Sequence, residues 1–440
     1  MTLHQKDTMK VAAFVPAKGT SDRIDNKNIK PLDGKPLFLH TIDKLLGCDF
    51  IDDVVLDTDS ELIIGMAGDR ACKVLRRAPA LATNKTDGNA LFLNQVNNTD
   101  ADIIVQVLGT SPFIEPDTIA RGIEILRSQP EYDSVVLVRR DKMYLWEDGK
   151  PAYDSLNIPN SGTLPDTVME TMGLYIMRRA DALRIGRRIG ERPFLLDATP
   201  LEAIDVNWPD DFALADVIAA GRREKERHLL SNLKGLFTSS MLSDILDDLG
   251  YTNQIIRGLA PNISSSRILG RANTLRLRPL EPGEDFRGIY TALESYAGIV
   301  PNDIIMVENQ VGEYAYFGEL NANLAIRCGA AGVVVGGVTR DSADVIKLGL
   351  PVFAKGYSCQ DVRKRATVDT INRRICIEGV IVRPEDLVFG DNEGIAVIPR
   401  MIEKQVIAAA FQSASNEKKI LIDISMGANV DSLTKDYGFF

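Results

Sequence analysis

Histidine is almost missing from this chain, with three residues in 440: His4, His40 and His228. A Ser-His-Asp or Cys-His mechanism needs an imidazole beside its nucleophile. His4 lies in a polar N-terminal stretch and His228 in a charged run, so that chemistry is not expected. Cysteine is scarce too. Cys48, Cys72, Cys328, Cys359 and Cys376 are odd in number and form no C-x-x-C pair. That spacing supports neither a disulfide framework nor a zinc site, and reads as free thiols in a cytoplasmic protein. No run approaches the roughly 18 apolar residues of a membrane span. The opening MTLHQKDTMK lacks the apolar core of a signal peptide, so residues 1–8 are expected to be an extension ahead of Met9. Cations are not in excess either: 51 Lys and Arg stand against 61 Asp and Glu, a net charge of −10. That balance argues against nucleic-acid binding by phosphate neutralisation. Carboxylates, cations and a metal remain as the means of catalysis.

The length implies two domains. Across residues 9–220, strand and helix signals alternate. Val11–Val15, Asp53–Leu56, Ile103–Leu108 and Ser134–Val138 read as strands, and Pro36–Leu46, Asp117–Leu126 and Asp211–Ala220 as helices. Such βα alternation predicts an α/β, Rossmann-like domain with a mostly parallel sheet. Ligands in these sheets sit at the carboxyl ends of strands, where PAKGTS, DTDS and GTSP all fall. A mixed-sign run, Arg222–Arg227, reads as a solvated helix face. The expected domains are 9–225 and 236–440, with 226–235 as linker. Ser240 is the expected cap of a helix carrying Met241, Leu242, Ile245, Leu246 and Leu249 on one face. Beyond it, short apolar strands separated by glycine turns predict a second, layered α/β domain.

Three segments carry chemistry. Lys18, Arg23, Lys27, Lys30 and Lys35 crowd an eighteen-residue stretch after the first strand, where backbone N–H groups and cations can meet phosphate oxygens. The stretch is neither a G-x-x-x-x-G-K-[ST] loop nor a G-x-G-x-x-G fingerprint. In Asp205-Val206-Asn207, alternation places two oxygen ligands on one face, suited to a hard cation. The same segment also reads as a helix N-cap through Asp210 or Asp211. Further on, Arg340-Asp341 puts a guanidinium beside a carboxylate after a buried strand. That pair suits a substrate carboxylate and a cation, and equally a structural ion pair.

Residues 9–220 resemble the acylneuraminate cytidylyltransferases, the CMP-sialic acid and CMP-Kdo synthetases. Their pattern runs roughly P-A-R-x-G-S-K-x-I-P-x-K-N, S-T-D-S, Q-P-T-S-P and I-D-I-D-T-P-x-D-F. Here Lys18 stands for the family arginine, and Ser21, Lys27 and Asn28 match directly. Leu56–Ser60 matches the second block, Thr110-Ser111-Pro112 the third, and Asp205 the first metal aspartate. Asn207 stands where the second aspartate is usual. Leu108-Gly109 and Phe113-Ile114 depart from the family where it grips the sugar acid. The resemblance implies CTP held by Ala17, Lys18, Gly19, Ser21, Arg23, Lys27, Asn28 and Asp59, with Lys27 catalytic. It implies a small sugar acid at Thr110 and Ser111, and Mg²⁺ or Mn²⁺ at Asp205 and Asn207. A nucleotidyl transfer to a sialic-acid-like acceptor is the expected activity, with Kdo or another small acceptor as the alternative.

Residues 236–400 resemble the family of 4-hydroxy-4-methyl-2-oxoglutarate aldolases and the regulator of ribonuclease activity A. The matching blocks are L-S-D-I-L-D-D-L-G, F-G-E-L, G-A-A-G-V-V-V-G-G-V-T-R-D, L-P-V-F-A-K-G and G-D-N-E-G-I-A-V-I-P. The resemblance implies a pyruvate-like ligand held by catalytic Arg340 and by Gly318, Glu319 and Leu320, with Asp341 on the metal. It equally permits a non-catalytic oligomerisation or regulatory domain. Dimers typify the first family, and trimers or pairs of trimers the second. A closed assembly satisfying both is a hexamer with 32 symmetry. No nucleic-acid or membrane partner is expected.

Overall fold

The computed structural model describes residues 9–438 except 69, 84 and 85. The expected extension 1–8 lies outside the described residues. The chain divides into two compact units, Met1–Ala219 and Ala220–Phe440.

In the first unit the described residues form a seven-stranded sheet. Its strands are β1 (Val11–Pro16), β2 (Asp53–Thr58), β3 (Lys73–Arg76), β4 (Ile103–Val107), β5 (Ser134–Asp141), β6 (Thr167–Arg178) and β7 (Pro193–Asp197). Their spatial order is β7-β5-β6-β4-β1-β2-β3. Every pair is parallel except those of β6, which runs antiparallel to β4 and β5. The strands are apolar on both faces because both are covered. Val11, Ala13 and Val15 pack under α1 (Leu37–Leu46), where Phe38, Ile42 and Leu45 are buried. Ala12 and Phe14 point the other way, toward Phe92 and Val96 of α3 (Gly88–Asn97). Between them in sequence lies α2 (Glu61–Ala67), capped by Ser60. Strand order reverses around β1, so a crevice opens at the carboxyl ends of β1 and β4.

On the α3 side, a buried polar network closes this end of the sheet. Asp57 is fully buried and accepts from Arg77 Nε at 2.9 Å and from Gln95 Nε2 at 2.7 Å. Gln106 in turn donates to Gln95 Oε1 at 2.8 Å. The Asp57 charge is tolerated in the interior because a guanidinium meets it directly.

Helix α4 (Pro209–Leu236) runs straight through the segment expected as linker. In the first unit its Phe212, Ala215 and Ala219 pack with Ile24, Leu32 and Val206. In the second unit its Leu230 and Leu233 join Phe237 and the buried face of α5 (Ser239–Asp248). The cap of α5 is Thr238, whose Oγ1 accepts from Met241 N–H, and not Ser240. The hydroxyl of Ser240 instead donates to Glu393 at 2.8 Å.

The second unit is built on a mixed sheet centred on the long strand β8 (Ile268–Pro279). Parallel to it run β9 (Ile304–Asn309), β10 (Gly332–Val335) and β11 (Val352–Ala354). On its other side are β12 (Leu387–Gly390) and β13 (Ile395–Ile398), both antiparallel to their neighbours. One face, with Leu269, Leu275 and Leu277, packs on α5, α8 (Glu403–Ser425) and α6 (Glu319–Cys328), and the other, with Ile268, Ala272 and Met306, packs on Ile375, Ile377, Val380 and Val382. A six-residue α7 (Ser342–Lys347) follows β10. Arg271 on β8 is clamped by Glu226 and Glu403.

Asp386, just before β12, is 3% exposed and accepts N–H groups from Arg383 (2.9 Å) and Arg400 (3.2 Å). Burial outweighs those donors and pushes its carboxyl up to about 6, against 3.8 when unfolded. The folded chain therefore keeps a proton between pH 4 and 6 that the unfolded chain has lost. This contribution to stability is full below about pH 4 and disappears as pH rises through about 6. The difference is on the order of 2–3 kcal/mol. Urea unfolding followed from pH 4 to 8 is expected to show that decline in the parent chain and a flatter profile in Asp386→Asn. Identical profiles would refute it.

Candidate active site

Val206 organises the first crevice. Its side chain is fully buried among Ile24, Leu32, Leu37 and Phe113. Its N–H donates to the Thr110 carbonyl at 2.8 Å, and its own carbonyl accepts from Lys27 Nζ at 3.1 Å. With Val206 buried, Asp205 and Asn207 on either side turn to the opposite face. Lys27 sits in a short 3₁₀ turn, Lys27–Ile29, entered through Asn26 at φ +54°. It is 9% exposed, and burial, partly offset by Asp205, draws its ammonium below the usual lysine range. Lys27 Nζ also reaches Asn207 Oδ1 at 3.4 Å, Asn207 Nδ2 donates to Asp205, and Ser111 Oγ donates to Asp205 at 3.1 Å. Lys27, Ser111, Asp205 and Asn207 are therefore one cluster.

The loop after β1 is fastened around it. Ala17 N–H donates to the Asp57 carbonyl at 2.9 Å. Asn28 Nδ2 holds the Lys18 carbonyl at 2.7 Å, and Gly19 N–H donates to Asp59 Oδ1 at 2.9 Å. A Cβ on Gly19 would stand 2.8 Å from Ser60 Cβ, so this approach requires glycine. Arg23 is exposed, its guanidinium 5.5 Å from the Trp208 ring, and Ser21 is half-buried in the same loop. Lys35 stands apart from the group: it pairs with Asp43 at 3.1 Å, beside Arg70. His40 is structural, hydrogen-bonded to the Leu32 carbonyl at 2.8 Å.

The capping and ligand readings of 205–211 are both realised, by different residues. Asp211 Oδ2 accepts the N–H groups of Asn207 and Trp208, at 2.9 and 2.8 Å, at the start of α4. Asp205 is left out of the cap. Among the described residues no group of three His, Cys, Asp or Glu gathers as a metal cage. Asp205 still suits Mg²⁺, which commonly takes one or two carboxylates and completes its shell with waters and substrate phosphates. Asn207 does not fit as a ligand in this arrangement, because its oxygen faces the Lys27 ammonium.

In the second unit, Arg340 and Asp341 follow β10. Glu319 N–H donates to Asp341 Oδ2 at 3.2 Å, and Arg340 Nε lies 3.5 Å from the same oxygen. A Cβ on Gly318 would fall 2.4 Å from Asp341 Oδ2, so glycine lets the two loops meet. Leu320 is 78% exposed, so its side chain lines nothing closely. Arg340, Thr339, Phe317, Val345 and Tyr357 line a small, shallow pocket. The residue that the sequence did not point to is Asp361, whose Oδ2 takes Arg340 Nη1 at 2.6 Å. Nothing in the R-D dipeptide signals a partner for Arg340 21 residues on. The Asp57–Arg77 pair was likewise missed, although Asp57 lies inside the D-T-D-S block.

Residues 12–148 match the family model described as cytidylyltransferase, and residues 239–397 the one described as Aldolase/RraA. A 3-deoxy-manno-octulosonate cytidylyltransferase of Chlorobaculum parvum is 31% identical over 194 residues, 40% of this chain and 76% of that protein. The chain belongs to the cytidylyltransferase family. Its other half is similar to RraA-like proteins: a putative 4-hydroxy-4-methyl-2-oxoglutarate aldolase of Halalkalibacterium halodurans is 28% identical over 182 residues, covering 41% of this chain and 81% of that one. Protein DlpA of Legionella pneumophila is 27% identical over 203 residues, 45% of this cytidylyltransferase-family chain, which spans only about a third (32%) of DlpA.

Gly19→Ala should part the loop from Ser60 and lower CTP affinity at least tenfold, about 1.4 kcal/mol, with the thermal midpoint nearly kept. Calorimetric titration with CTP checks this. Parent-like affinity would remove the loop from the nucleotide site.

Proposed function

We propose that the first unit transfers cytidylyl from CTP to the anomeric hydroxyl of a 2-keto-3-deoxy sugar acid of the sialic or octulosonic type. The acceptor oxygen forms a bond to the α-phosphorus, the bond to pyrophosphate breaks, and the hydroxyl proton leaves to solvent. The observation that carries the reading is the Lys27–Asn207–Asp205–Ser111 cluster at the carboxyl ends of β1 and β4. Lys27 offers a buried cation to the phosphates, where a fixed charge in low dielectric acts strongly. Lys18 and Arg23 add positive charge around the loop. Asp205, oriented by Ser111, would hold Mg²⁺ or Mn²⁺, which supplies charge neutralisation on the triphosphate. The relatives that support this include a CMP-N,N'-diacetyllegionaminic acid synthase of Legionella pneumophila, 34% identical over 123 residues, 27% of this chain and 53% of that protein. Kdo remains the second acceptor to test, because the Chlorobaculum relative is named for it.

We also propose that the second unit binds a 2-oxo acid, with Arg340 on its carboxylate and a divalent cation at Asp341. An enolate formed by decarboxylation or retro-aldol cleavage would be stabilised there. Sialic and octulosonic acids are formally aldol products of pyruvate, so both units would handle related acids.

Pyrophosphate release from CTP with a panel of 2-keto-3-deoxy acids tests the first proposal. Lys27→Ala and Asp205→Ala are each expected to lose roughly 10²–10³ in rate. Equal turnover with ATP, or parent-like turnover of Asp205→Ala at saturating CTP, would sink it. For the second, the full chain with Mn²⁺ should release pyruvate from oxaloacetate, and Arg340→Ala should not. No release from the parent chain would favour a scaffold role.

A further inference from the structure

Several buried charges in this protein are met directly by opposite charge. Asp57 is paired with Arg77, Asp43 with Lys35 and Arg70, and Arg271 with Glu226 and Glu403. Lys27 and Asp205 lie close together and are not paired in this way. Among the described residues, the Lys27 ammonium, 9% exposed, touches only neutral oxygens: the Val206 carbonyl at 3.1 Å and Asn207 Oδ1 at 3.4 Å. The half-buried Asp205 carboxylate touches only neutral donors, the Ser111 hydroxyl at 3.1 Å and the Asn207 amide. A single amide stands between the two charges, with its oxygen toward the cation and its nitrogen toward the anion.

An unpaired charge is costly to bury, and here two of opposite sign lie one side chain apart without meeting. The amide is the side chain suited to this. It accepts on one end and donates on the other without carrying charge. An aspartate at 207 could accept from Lys27 but could donate nothing to Asp205. It would neutralise the ammonium and set two carboxylates side by side.

We propose that Asn207 is a neutral spacer that keeps Lys27 and Asp205 from neutralising each other, so that the ammonium is reserved for a phosphate group and the carboxylate for a divalent cation. Each free valence is present. Lys27 uses two of its three N–H donors, and Asp205 uses two of roughly four lone-pair sites. With one carboxylate and no cage, the protein alone holds the cation weakly. The cation therefore enters with the triphosphate as one complex. This rests on the nucleotide reading of the same site, and it makes Asn207 a positioning residue rather than a metal ligand.

The test uses the full chain and reads binding, not turnover. Manganese alone, followed by its paramagnetic resonance signal, is expected to bind the parent chain weakly. Asn207→Asp is expected to bind it at least tenfold more tightly without nucleotide. CTP titrated calorimetrically in EDTA is expected to bind the parent chain and to lose at least tenfold in Asn207→Asp, where Lys27 is already paired. Thermal melting confirms that the variant folds. Should it not, Asn207→Ala removes the spacer without adding charge and lets Lys27 close on Asp205, so metal-free CTP affinity should again fall. Unchanged manganese affinity in a folded Asn207→Asp overturns the spacer role. Failure of the parent chain to bind CTP, with the manganese shift intact, overturns the nucleotide reading alone.

Discussion

Everything in the first site hangs on the backbone of Val206. Its N–H fixes the loop after β4 and its carbonyl fixes Lys27 from the loop after β1, so three segments far apart in sequence meet at one residue. The anchor holds because the valine side chain is fully buried between the β1 loop and α4. The backbone bond contributes about 1 kcal/mol net and the bond from the charged ammonium about 1.5–3. Burial of the residue that makes both is what keeps them together. Asp205 and Asn207 on either side of it then meet Ser111 and Lys27. The chemistry is thus placed by an apolar residue that takes no part in it.

The parts of this arrangement that were legible in the sequence are those set by local pattern. Val11–Val15 is apolar at every position, and only a strand covered on both faces accepts that. Loops at carboxyl ends followed from the βα alternation, and Lys27, Ser111 and Asp205 lay in blocks with the order of a known family. What could not be read depends on partners distant in the chain. Strand β6 begins with exposed Val168, Met169 and Glu170 before its buried half, so no clean period marks it. Its antiparallel place between β4 and β5 is a tertiary choice. Lys35 looked like one more cation in a cationic loop until Asp43 and Arg70 surrounded it. The mixed-sign run 222–227 was legible as helix. It carried no stop signal, and the apolar Leu230 and Leu233 carry the helix on to Leu236.

The two units treat charge differently, and the contrast bears on what each can do. In the first crevice, cation and anion are held one amide apart. In the second, Arg340 is bracketed by Asp341 and Asp361, at 3.5 and 2.6 Å. All three side chains there remain about a third exposed or more, so water screens the pairs and their mutual attraction is small. A substrate carboxylate competing for Arg340 would meet a modest opponent. Such a competitor fixes the direction of the guanidinium while leaving it open to solvent. Asp361 itself is held still: one of its carboxylate oxygens accepts the Arg363 N–H at 2.6 Å and its carbonyl accepts from Arg365 at 2.9 Å.

If Lys27 and Arg340 bind anions as proposed, two solutions to one electrostatic problem coexist in a single chain. A binding site for anions must present positive charge that its own carboxylates have not consumed. Where the site is buried, as at Lys27, direct pairing would be strong enough to shut it, and a neutral residue has to intervene. Where the site is open, as at Arg340, pairing is weak enough to serve as alignment. The degree of burial decides which device works, because the same ion pair is worth several-fold more at low dielectric than in water. An asparagine at 207 and an aspartate at 361 are then not interchangeable choices. Each is the residue type that its own exposure permits.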